Sequence, residues 1–174
     1  MRRGSLVSLL FLTLVAVCAG GARGASISYQ ATDLPDTVPG QDLWQYQYSL
    51  SGTSLSAGEG FDVFFALADG YQFGDLVDPL TGPSGEWDVL AIQADPGLPA
   101  DGIFDAVAIV NDPISTAPFT AAFIWRGTGT PGAQHFEIFD SSFTVTESGT
   151  TAPEPTATAL VLVALASLIR RVRR

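Results

Sequence analysis

Short alternating apolar segments predict an all-β chain: a single antiparallel β-sandwich domain, flanked by an N-terminal signal helix and a C-terminal hydrophobic helix. Three observations carry this expectation. Apolar and polar residues alternate with period two in several segments of the middle of the chain, as half-buried strands require. Gly and Pro clusters separate those segments. No stretch between them shows a 3.6-residue apolar period, and the two long apolar runs lie only at the ends.

The chain opens as a secretory leader. Arg2 and Arg3 precede an apolar run over residues 6–19, and Ala22-Arg23-Gly24 places small residues on both sides of Arg23 before a cut ahead of Ala25. The run holds about 14 residues, short of the roughly 20 that span a bilayer as a helix. Residues 1–24 therefore read as a cleaved signal peptide, handled by Sec-type export machinery. Val17 before Cys18 does not suit a lipoprotein leader, and the residues around Arg2-Arg3 do not suit a twin-arginine one.

Residues 25–146 read as the β-sandwich ectodomain. Residues 27–29 open the series. Trp44, Tyr46, Tyr48 and Leu50 face one way, with Gln45, Gln47 and Ser49 opposite. Phe61, Val63 and Phe65 alternate with Asp62 and Phe64, and Trp87, Val89 and Ala91 with Asp88 and Leu90. The apolar run 106–110 suits a strand covered on both faces. Segments 121–125, 136–139 and 143–145 complete the set. Pro39-Gly40, Gly58, Gly82-Pro83, Pro96-Gly97, Pro113 and Pro131-Gly132 supply the turns.

Charge is just as uneven. Residues 26–152 hold 17 Asp and Glu against Arg126 alone, a formal charge of −16, and the chain has no lysine. Nucleic-acid binding rests on cationic neutralisation of phosphates, so this body excludes a nucleic-acid partner. Cys18 is the single cysteine and leaves with the leader, so the mature domain needs a core rather than disulfides to hold it.

Residues 147–155 read as a linker carrying Pro153-Glu154-Pro155, and residues 156–174 as a hydrophobic helix with an Arg-rich stop. Proline fixes φ and disfavours helix in the residue before it, which keeps this linker extended. Thirteen residues, 157–169, form the apolar run; as a helix they reach about 20 Å against a hydrocarbon core of about 30 Å. Arg170, Arg171, Arg173 and Arg174 hold the C-terminus in the cytoplasm. So short a helix suits a transient membrane stage better than a permanent anchor.

The tripeptide, the apolar run and the terminal arginines together resemble the PEP-CTERM sorting signal of Gram-negative bacteria, over residues 153–174. The resemblance implies processing by a membrane enzyme, exosortase, and delivery to the cell surface or extracellular matrix. Trp87-Asp88-Val89-Leu90, the run 95–102, and Gly129-Thr130-Pro131-Gly132 leading to Phe136-Glu137-Ile138 are similar to ectodomains found with such tails. That second likeness implies no activity.

Catalytic constellations are not legible. His135 is the only histidine, no Gly-x-Ser-x-Gly elbow is present, and His135 reads as exposed at a strand start. Asp95, Asp101 and Asp105 share one Pro/Gly-rich loop and form the candidate calcium site, since hard cations take loop carboxylates and carbonyls. Trp44, Trp87 and Trp125 fit alternating strands and read as core. The sequence thus predicts a non-enzymatic exported surface or matrix protein without a cofactor. The alternative is a calcium- or carbohydrate-binding surface module delivered by the same route.

Overall fold

The computed structural model describes residues 24–66, 73–95, 97, 98 and 100–154. Residues 1–23 of the expected leader, Pro155, the apolar run and the four terminal arginines lie outside the described residues. Within them the chain forms ten strands and no helix: β1 Ser26–Asp33, β2 Asp42–Ser51, β3 Gly60–Phe65, β4 Phe73–Thr81, β5 Trp87–Ile92, β6 Gly102–Ala108, β7 Phe119–Trp125, β8 His135–Phe139, β9 Val145–Thr150 and β10 Ala152–Pro153.

Two five-stranded sheets result, in the orders β10-β1-β2-β7-β4 and β5-β6-β3-β8-β9. Every pairing is antiparallel except β10 on β1, which is parallel. The sheets face each other through aromatic rings. Tyr46 and Phe123 of the first sheet meet Phe65 of the second at centroid distances of 6.3 and 5.4 Å. Phe119 meets Phe61 edge-on at 4.8 Å and Trp87 at 4.7 Å. Such contacts contribute beyond the apolar area they bury, and Tyr46, Tyr48, Phe61, Phe65, Phe104, Phe119 and Phe123 are fully buried. The architecture is sandwich-like and all-β.

Period two places these rings. Along β6, Gly102, Phe104, Ala106 and Ala108 point inward and Ile103, Asp105 and Val107 outward, with no exception. Along β3, Phe61, Val63 and Phe65 face the core while Asp62 and Phe64 face out. A one-residue slip in register would turn each of these sets inside out, so the pattern fixes the pairing.

Four expectations differ from the structure. The run 106–110 is not a strand covered on both faces: β6 ends at Ala108, its outer face is half-buried, and Ile109 and Val110 are exposed beyond it. The segment 143–145 is mostly turn, with Phe143 exposed at φ 59° and the strand beginning only at Val145. Residues 73–81 form an edge strand that alternation did not reveal, because its register shifts twice against β7. A bulged strand loses period two, and Pro79 is tolerated on an edge. Finally, residues 147–150 and 152–153, expected as linker, lie in strands on either side of Thr151.

Candidate functional site

The C-terminal segment does not leave the domain freely. After β9 the chain crosses from one sheet to the other at Thr151, which is 2% exposed. Thr151 N–H donates to the Gln134 carbonyl at 2.8 Å, and Thr151 Oγ1 accepts from Gln134 N–H at 2.9 Å. The Gln134 side chain accepts from Tyr48 Oη and donates to the Phe64 carbonyl at 3.3 Å. A buried amide with every group engaged is a fixed point, because leaving any of them unpaired carries a desolvation penalty.

Beyond this point Ala152 and Pro153 pair in parallel with Ser28 and Tyr29 of β1. Proline lacks an N–H, yet fits here because β10 is an edge strand. Glu154 N–H donates to the Tyr29 carbonyl at 2.9 Å. Ser28 and Ser49 are partners across β1 and β2, and their hydroxyls both point to Glu154 Oε1, at 3.5 and 2.9 Å. Pro153 and Glu154 are thus tied to the body of the domain. Pro155, Arg170, Arg171, Arg173 and Arg174 lie outside the described residues.

The other end of the domain closes onto the same region. Ala25 N donates to Glu147 Oε2 of β9 at 2.6 Å. The residue before β1 and a residue of the edge strand β9 therefore meet.

The three loop acids separate. Asp95 bridges Ala100 at the β5–β6 hairpin and turns its Oδ1 to Gly97 N–H at 2.8 Å. Asp101 follows this bridge, just before β6. Asp105 is not in the loop at all but in mid-strand, opposite Leu90 and Asp62. Strand periodicity turns it onto the outer face of the second sheet. Among the described residues no group of three or more His, Cys, Asp or Glu is arranged to hold a metal ion.

Asp105 instead joins a row of acids that spacing alone did not disclose. Asp62 is in register with Asp105 on one side and Glu137 on the other. Burial first, then the charges of Asp105 and Glu137 and the hydrogen bond with Asp105, push the Asp62 carboxyl up to about 7. Asp105 is also raised, chiefly by burial; the hydrogen bond from Asp62 opposes this, and the Asp88 charge adds to it. Asp62 Oδ1 is buried without a hydrogen-bond partner. Like charges side by side on a sheet are destabilising, and a shared proton relieves them. His135 starts β8, exposed as expected, with Nε2 3.3 Å from Glu137 Oε1 and its ring 5.3 Å from that of Phe64.

The tryptophans belong to the fold. Trp87 and Trp125 are buried, and their indoles donate to the carbonyls of Ile114 and Gly129, each at 2.8 Å. Trp44 donates to Asp42 at 2.9 Å. One cavity of about 120 Å³ opens beside Trp87, lined by Ser54, Asp112 and Ser115 among others. Trp87 is only 7% exposed, so it offers no open face for a sugar ring to stack upon.

No family model matches this chain, and neither a curated protein nor a solved structure is significantly similar to it.

Proposed function

We propose that this chain is a non-enzymatic exported protein whose C-terminal segment is a sorting signal, cut by a membrane-bound exosortase before the domain reaches the cell surface or matrix. The chemistry belongs to the processing enzyme, and the chain is its substrate. The observation that carries the reading is the order Pro153-Glu154-Pro155, apolar run 157–169, then Arg170, Arg171, Arg173 and Arg174. The leader over residues 1–24 supports it by supplying export, and the run is too short to span a bilayer without strain. A lysine-free acidic body suits a surface role, since like charge keeps it soluble and off anionic lipid.

The reading divides the chain into signal peptide, ectodomain, motif and membrane tail, with the ectodomain extending through Thr151. The test is replacement of Pro153, Glu154 and Pro155 by alanine in cells that carry the processing enzyme. Full-length variant is expected to accumulate in the inner membrane with its C-terminus in the cytoplasm. Arrival of the variant at the surface as efficiently as the natural chain would overturn the reading.

A further inference from the structure

Pro153 and Glu154, which the sorting reading assigns to an enzyme's pocket, are already engaged by the domain itself. Glu154 N–H is engaged by the Tyr29 carbonyl, its carboxylate by Ser49 and Ser28, and the backbone of Ala152 and Pro153 by β1. An enzyme that recognises an extended tripeptide needs these same backbone groups and this same carboxylate. The docked state and the enzyme-bound state exclude each other.

We propose that the folded domain masks its own processing motif, with the β1 edge and the Ser28–Ser49 hydroxyl pair acting as an autoinhibitory latch on Glu154. The proposal rests on the sorting reading above and adds its regulation. When only a fraction of molecules is open, the apparent affinity of the enzyme falls by that fraction. Processing then proceeds at a rate set by how often the latch releases.

The latch is built to open without unfolding the domain. Thr151 anchors the chain deeply, so release can leave it in place and free residues 152–154 beyond it. Ala152, Pro153 and Glu154 are all exposed, and the pairing spans two residues. Segments with few buried contacts and exposed hydrogen bonds open at low free energy. Ser28 and Ser49 lie on the outer face of their sheet, opposite in direction to buried Ile27 and Tyr48. Both can therefore lose their hydroxyls without disturbing the core.

The test compares the natural full-length chain with Ser28→Ala/Ser49→Ala in cells carrying the processing enzyme, by pulse-chase of the full-length species. The same two chains, purified intact in detergent, are compared by amide hydrogen exchange at Glu154. The proposal expects faster exchange at Glu154 in the variant and processing about tenfold faster, equivalent to about 1.4 kcal/mol of lost docking. Faster exchange with unchanged processing overturns the latch while leaving the sorting reading intact. A Glu154 amide that exchanges freely in the natural chain also overturns the latch. Retention of Arg174 by every natural molecule sinks the sorting reading itself.

Discussion

Thr151 N–H donates to the Gln134 carbonyl at 2.8 Å and Gln134 N–H to the Thr151 hydroxyl at 2.9 Å, at the point where the chain passes from one sheet to the other. The Gln134 side chain meanwhile holds Tyr48 and the Phe64 carbonyl. Core, sheet crossing and C-terminal segment are therefore linked through one buried amide.

Thr151→Val keeps the shape of the side chain and removes the acceptor for Gln134 N–H. Leaving a buried donor unpaired costs about 1–3 kcal/mol. Thermal unfolding of the variant is expected several degrees below that of the natural chain. An unchanged melting temperature would show that this crossing is not a fixed point.

Asp62 gives the domain a pH dependence of definite sign. Its carboxyl is raised from 3.8 to about 7 in the folded chain, so between those values the folded state binds more protons than the unfolded one. Stability contributed by Asp62 is then largest in acid and is lost as pH rises through this window. Asp62→Asn removes the charge and keeps a donor for Asp105. Because water reaches part of the group, the gain at pH 8 is expected to be about 1–2 kcal/mol, vanishing near pH 4. Chemical denaturation of both chains at the two pH values checks this. An equal effect at both would refute it.

Gly60 stands where β3 passes closest to its neighbours. A Cβ there would lie 2.4 Å from the Ala106 carbonyl oxygen and 2.7 Å from Phe139 Cζ. Backbone on one side and a packed ring on the other leave no room to yield, so Gly60→Ala is expected to cost at least about 2 kcal/mol. Gly132→Ala, with nothing within 4 Å of the added atom, is expected to change stability by less than about 0.5 kcal/mol. Denaturation midpoints that rank the two variants the other way would contradict the packing described.

The contact from Ala25 N to Glu147 changes character if the leader is removed before Ala25. A peptide N–H becomes an α-ammonium group 2.6 Å from a carboxylate. In a mature chain beginning at Ala25, Glu147→Gln is expected to lower stability by about 0.5–1 kcal/mol, screened by salt. In the leader-bearing chain the loss is expected to be smaller and insensitive to salt. Melting temperatures at low and high ionic strength distinguish the cases; equal losses in both chains would show that the ammonium group does not strengthen the contact.

Much of the fold was legible because its core is aromatic and several of its strands, β3 and β6 above all, alternate. Trp44 to Leu50 and Phe61 to Phe65 show which way each side chain faces, since the inner face is ring-filled and the outer one mostly polar, Phe64 excepted. What stayed hidden has physical causes. Residues 73–81 lose their period to two register shifts. The run Val145–Thr150 carries almost no apolar signal because its side chains are nearly all exposed on an edge. The same polarity made residues 147–153 look like a linker. The acid row of Asp62, Asp105 and Glu137 needs the register of three strands, which spacing along one chain does not contain. By contrast, the tripeptide and its flanking runs are contiguous in sequence, so the sorting proposal is drawn from the chain alone and not from the fold. The seating of Glu154 on Ser28 and Ser49 joins residues 126 and 105 positions apart, and no local pattern announces it.

The proposed function stands on removal of the C-terminal segment from the finished protein. Intact-mass spectrometry of the molecules recovered from the cell surface or medium tests it most directly. The expected molecule has its N-terminus near Ala25 and its C-terminus at or close to the Pro153-Glu154-Pro155 motif, with the apolar run and all four terminal arginines gone. Recovery of most surface molecules with Arg174 still attached would contradict it.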